Sequence, residues 1–263
     1  METVIEHYMN RLDSRRGALH QWCGTDNAES YREQHGNGPN PFKPEDFDYR
    51  FNSNGFRCDE FTEESELPVL FNGCSITEGI GVPVTGTWAY QLVEKLRAAT
   101  GKKIPFWNIA IGGGGFDTMA SSTMWFVKNV KVKPKLVFSL FPSMYRRDYC
   151  VETPNARMWA PALSKTNADW LFADTYFAQH QCTRSFNTIQ AMYLHWNCQA
   201  FHSAWEPHAA ELMRKIGENY VHFPVGKSVY TPRARDDLHP GVGAHADLCG
   251  AFWKVVEPKL HLL

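Results

Sequence analysis

The chain has 263 residues, 43% of them hydrophobic, which suffices for a sizeable core and fits one large α/β domain better than two full-sized ones. Its 27 Lys and Arg nearly cancel its 28 Asp and Glu, so no overall field recruits nucleic acid or an anionic membrane, and the expected partner is a small molecule or glycan. No stretch approaches the roughly 20 apolar residues that span a bilayer, and residues 1–22 show no secretory signal; a soluble and by default cytoplasmic protein is expected, with virion association left open.

Residues 1–60 are polar and aromatic-rich, carry the turn cluster Gly36–Pro41, and read as an N-terminal extension wrapped on a core domain over 61–263. From Leu67 the text changes: Leu67-Pro68-Val69-Leu70-Phe71 ends in Asn72-Gly73 and predicts a buried parallel strand. Thr87 can cap a helix whose Trp88, Leu92, Leu96 and Ala99 fall near helical spacing and which ends at Gly101. Phe106–Ile111 is a second apolar run, Met119–Val130 the next helix, and Leu136–Phe141 a third strand.

Residues 143–184, with Pro154 and Pro161, read as irregular, an inserted rim or lid over one sheet end. Trp159, Trp170, Phe172, Tyr176 and Phe177 within it suit either packing or stacking on a sugar ring or acyl chain. Phe186, Ile189, Tyr193, Trp196 and Ala200 predict a helix over Ser185–Ala204. A helix at Pro207–Ile216, a strand at Tyr220–Val225 and a last helix at Ala244–Val256 follow. Strands alternating with helices imply a three-layer α/β fold, a parallel sheet flanked by helices, with ligands bound beyond the strand carboxyl ends.

Two loops carry candidate chemistry. Gly73-Cys74-Ser75-Ile76-Thr77-Glu78-Gly79 sets a serine directly after the first strand, between glycines that permit a tight path. Alone it reads as a turn or capping serine, because a hydroxyl needs a base to become a nucleophile. Near the other end, Asp236-Asp237-Leu238-His239 is spaced so that Asp236 can accept the Nδ1 proton of His239 and leave Nε2 to deprotonate Ser75; Asp237 is the less well-spaced alternative. A metal site of Asp236, His239 and His245 lacks a further well-spaced ligand motif, and the seven cysteines contain no Cys-x-x-Cys pair. Neither metal nor cofactor is therefore expected, and the cysteines read as buried reduced thiols. Cys74 leaves the strand in a different direction from Ser75, so both cannot meet His239.

Together these blocks resemble the GDSL/SGNH hydrolase family, whose first block reads Gly-Asp-Ser-Leu-Thr-Glu-Gly or similar and whose last is Asp-x-x-His. Asn108-Ile109-Ala110-Ile111-Gly112-Gly113 is similar to the second block, and Tyr49–Arg57 is similar to a lead-in seen in some members. Spanning about residues 67–256, the resemblance implies an SGNH-like, flavodoxin-like architecture. It also implies catalysis by Ser75, His239 and Asp236, with the amides of Ser75 and Gly113 as the oxyanion hole. The implied activity is hydrolysis of small acyl esters, acetyl groups on carbohydrates among them. Two departures stand out: Cys74 replaces the aspartate beside the serine, and the third block, Gly-x-Asn-Asp, is not recognisable in Phe141–Asp148. Ser143 and Arg146 are the candidates to replace the lost asparagine donor or to bind substrate. Acyl transfer to a glycan hydroxyl, or a binding or structural module that has lost activity, remain the alternatives.

Overall fold

The computed structural model describes residues 9–33, 40–62, 64–146, 148–153, 156–161, 175–217, 219–223 and 232–262, without the side chains of 11, 148–161 and 262. Its centre is a parallel sheet of β3 (Val69–Gly73), β4 (Trp107–Asn108), β5 (Leu136–Phe141) and β8 (Gln199–Ala204), in the order β4-β3-β5-β8. Every residue of β3 and β5 is buried, as a strand covered on both faces requires.

Alternation along these strands sorts the core into two layers. Leu70, Val137, Phe141, Ala200 and Ala204 face one side. There they meet α4 (Phe116–Asn129), α5 (Thr175–Trp196) and α6 (Pro207–Ile216). Val69, Phe71, Leu136, Phe138, Leu140 and Phe201 face the other, against α3 (Trp88–Thr100) and α7 (Val242–Val256). The period of two in each strand thus meets a helix layer on either face, the three-layer α/β fold expected. On the second face Phe71, Phe138 and Phe201 are register partners and their rings stack at 5.4 and 5.5 Å.

Local sequence explains most element ends. Thr87 caps α3 by accepting the Tyr90 N–H at 3.2 Å, and Gly101 closes it with a left-handed φ of 67°. Of the second run only Trp107 and Asn108 form β4, although the Ile109 and Ile111 N–H groups still reach the Phe71 and Gly73 carbonyls at 2.9 and 3.4 Å; the Asn108 side chain accepts the Ala110 N–H at 3.0 Å.

Two expectations need correction. Residues 143–184 are not irregular throughout: β6 (Asp148–Thr153) and β7 (Ala156–Pro161) form an antiparallel hairpin, and α5 begins at Thr175. The first turns of α5 bury only Ala178 and Cys182, side chains too small to mark a helical face in the sequence. The helix expected over Ser185–Ala204 stops at Trp196, where Asn197 takes a left-handed φ of 53°, and Gln199–Ala204 is strand β8. Of the strand expected at Tyr220–Val225, a single parallel bridge links Tyr220 to His202. Pro224 and Val225, like Trp170, Phe172 and Gly36–Pro39, lie outside the described residues.

The N-terminal residues add β1 (Leu19–His20) paired antiparallel with β2 (Tyr49–Arg50), and α1 (Ala28–Glu33). Cys23, Tyr49, Phe51 and Ile80 bury one another in a small separate cluster, beside the carboxyl end of β3.

Candidate active site

At the carboxyl end of β3 the chain turns within one residue into the single-turn helix α2 (Ser75–Glu78). Gly73 is required there, since a Cβ on it would come within 2.2 Å of the Thr77 hydroxyl. Gly79 ends α2 with a left-handed φ of 84°. The fully buried Arg57 lies 4.2 Å from the Tyr49 ring and donates to the carbonyls of Glu78, Gly79 and Val82. Burial lowers the pKa of this guanidinium. The last turn of α2 is therefore held by a side chain from the preceding segment, and Ser75 is fixed with its hydroxyl toward His239. Cys74 instead packs into the apolar layer beneath α3 and α7.

Ser75 Oγ lies 2.7 Å from His239 Nε2, and His239 Nδ1 lies 2.6 Å from Asp236 Oδ2. The three residues expected to act together are thus brought into one hydrogen-bonded line. The other Asp236 oxygen accepts the N–H groups of Leu238 and His239 at 3.1 and 3.0 Å, so the loop closes on its own carboxylate. Asp237, the alternative, takes a left-handed φ of 53° and is not the partner. Asp236 is wholly buried. Burial alone would raise its pKa, but the bonds and charge of His239 and the bond from Thr25 hold it below the ordinary value.

The N-terminal segment supplies groups that no motif announced. Thr25 Oγ1 donates to Asp236 Oδ2 at 2.7 Å and sits 3.4 Å from His239 Nδ1. Arg235, next to Asp236, is completely buried. It is paired with Asp26 at 2.8 Å, bonded to the carbonyls of Gln21, Pro44 and Phe47, and lies 3.8 Å from the Phe47 ring centroid. Tyr49 donates to Asp26 and accepts the Gly81 N–H, and the Arg235 N–H reaches the Gly81 carbonyl. Gln21, Asp26, Pro44, Phe47 and Tyr49 thereby tie the loop of Asp236 to the loop after α2.

The loop after β4 lies alongside. Gly113 has a left-handed φ of 76° and opens onto a cavity of about 340 Å³ that also exposes Ser75, His239, Thr25, Arg15 and Arg146. The neighbouring Gly112 N–H is committed to the buried Glu78 carboxylate, whose other oxygen accepts from Arg15 at 2.7 Å. A Cβ on Gly112 would meet that carboxylate at 2.7 Å, so glycine is needed for the approach. Arg146 lines the cavity, whereas Ser143 does not: its hydroxyl accepts the Tyr145 N–H and its carbonyl the Arg146 N–H. Ser143 thus shapes the turn that carries Arg146.

His245 accepts the Trp88 N–H on Nδ1 at 3.1 Å. Burial first, then the charges of His239 and Arg57, push its pKa down to about 3. It anchors the start of α3 rather than joining Asp236 and His239, and among the described residues no group of three or more His, Cys, Asp or Glu could hold a metal ion. Among the same residues no helix is long and apolar enough to cross a membrane.

No protein-family profile matches the chain, and no curated protein matches its sequence. Among solved structures it is similar to TesA at 16% identity, over 73% of this chain and 98% of that one, with a TM-score of 0.48. It is also similar to the psychrotrophic esterase EstA from Pseudoalteromonas sp., at 13% identity over 74% and 100% of the two chains and a TM-score of 0.49. For the acetyl xylan esterase Est2A from the rumen bacterium Butyrivibrio proteoclasticus the values are 11%, 76%, 65% and 0.48. At such identities the function has to be argued from the site.

Proposed function

We propose that the chain is a serine esterase of small acyl esters, acetyl groups on carbohydrates among them. Ser75 Oγ attacks the ester carbonyl while His239 Nε2 takes its proton and then gives it to the leaving alcohol. Asp236 fixes the tautomer of His239 and stabilises the imidazolium that forms. The amides of Ser75 and Gly113 receive the developing oxyanion, and water, deprotonated by His239, releases the acyl group. Arg146 contacts the substrate at the cavity wall.

The observation that carries this reading is the unbroken line Ser75, His239, Asp236, with separations of 2.7 and 2.6 Å, opening on a cavity rather than into the core. A capping serine beside a solvated histidine would need neither the buried carboxylate nor its extra donors. Among the described residues lining the cavity there is no side-chain amide, so stabilisation falls to backbone donors; one such donor is worth about 3 kcal/mol in other hydrolases.

The test is turnover of 4-nitrophenyl acetate by wild type and Ser75→Ala. A loss of about 10⁴-fold or more in kcat/KM is expected when a triad member is removed; equal rates would end the proposal. Covalent labelling of Ser75 by a fluorophosphonate probe separates an active site from a module that has kept the fold and lost the chemistry.

A further inference from the structure

We propose that this site selects esters bearing a carboxylate or similar anion, recognised by Arg15 and Arg146. The proposal rests on the esterase reading for its chemistry, but its recognition step can be measured without turnover.

Among the described residues that line the cavity, the only side chains with a permanent charge are these two arginines. The nearest carboxylates are withdrawn from it. Glu78 is 2% exposed and Asp236 is wholly buried, and their oxygens are occupied by Arg15 and the Gly112 amide, and by Thr25, His239 and the Leu238 amide. Glu78 offsets part of the Arg15 charge yet also orients it, through one bond at 2.7 Å. The guanidinium carbon lies 5.2 Å from the Phe51 ring centroid. A guanidinium carries five donors in a fixed fork, so one bond to Glu78 leaves it able to grip a second oxyanion. Arg146 reaches the cavity from the opposite loop, its carbonyl packed where a Cβ on Gly115 would come within 2.6 Å.

Two arginines are a poor lining for a neutral acyl chain, because covering a guanidinium removes water without replacing its hydrogen bonds. For an anionic group they supply charge-assisted, forked bonds in a site partly shielded from solvent. The volume of about 340 Å³ admits a short acyl group and one ring carrying the anion.

Two matched pairs locate the charge: 4-acetoxybenzoate against its methyl ester places it on the alcohol side, and mono-4-nitrophenyl adipate against 4-nitrophenyl hexanoate on the acyl side. In at least one pair wild type is expected to favour the anion by about 10-fold or more in kcat/KM at low salt, less at high salt. In Arg15→Gln and in Arg146→Gln that ratio collapses toward one, while lysine at either position keeps part of it. Each ratio is internal to one protein, so a lowered folded fraction cancels. Calorimetry with Ser75→Ala, of 4-acetoxybenzoate against its methyl ester and of mono-4-nitrophenyl adipate against 4-nitrophenyl hexanoate, reads the same preference without catalysis. Equal or reversed preference in both pairs, or ratios unchanged in both glutamine variants, overturns the arginine proposal. Anion-selective binding by a protein that neither hydrolyses esters nor reacts with fluorophosphonate overturns the esterase reading alone.

Discussion

Asp236 is held from several directions, and the bond from Thr25 is the one contributed by a residue 211 positions away in the chain. Thr25→Val keeps the shape and removes the donor, leaving a buried carboxylate short of one partner. A hydrogen bond to a charged group is worth about 1.5–3 kcal/mol. Thr25→Val is therefore expected to lower stability by that order, read by urea denaturation, and kcat/KM by about 10-fold, with Thr25→Ser restoring both. A stable variant with unchanged turnover would show that the Asp236–His239 bond needs no outside support. That Ser75, Asp236 and His239 lie together was legible because each sits in a short block with a recognisable spacing. Thr25, Glu78 with Arg15, and Arg235 with Asp26 were not, because each contact joins distant positions and neither partner carries a local signal of the other.

At the scale of elements, β5 is the hinge of the core. Phe138 stacks between Phe71 and Phe201 and meets Phe252 of α7 at 5.6 Å edge-on. Phe138→Ala opens a void that three ring neighbours, all on fixed strands and helices, cannot close. A loss of about 3–5 kcal/mol is expected, measured by thermal or denaturant unfolding; a loss below about 1 kcal/mol would mean the layer relaxes like a loosely packed one. Legibility followed the same physics. β5, α3 and α6 were read at or near their true ends because large apolar side chains, Thr87 and Pro207 mark them. β8 was taken for the end of a helix, since Trp196 and Ala200 satisfy a helical period that Asn197 breaks by backbone conformation alone.

For the whole molecule, two buried histidines are expected to contribute to acid sensitivity. His202 is pushed down to about 4 by burial, and His245 to about 3. Both are neutral in the folded protein above those values, while the unfolded chain takes up their protons near the ordinary histidine value of 6.5. The unfolded state thus binds more protons across this window, so stability falls as pH falls from about 6.5 toward those folded values. The slope is about 1.4 kcal/mol per pH unit for each histidine. Unfolding free energies of wild type and His202→Gln at about pH 7.5 and pH 5 check this: the variant is less stable at the higher pH but loses less on acidification. Parallel losses in both proteins would remove His202 as a source of the acid sensitivity.

Arg235 joins the segment that carries Asp236 and His239 to Gln21, Asp26, Pro44 and Phe47, and this sets an order on assembly. A chain cut before Ala234 holds Ser75 without His239, and one begun after Phe47 holds His239 and Asp236 without Thr25 or the partners of Arg235. Segments far apart in sequence must therefore meet before the line of Ser75, His239 and Asp236 can form.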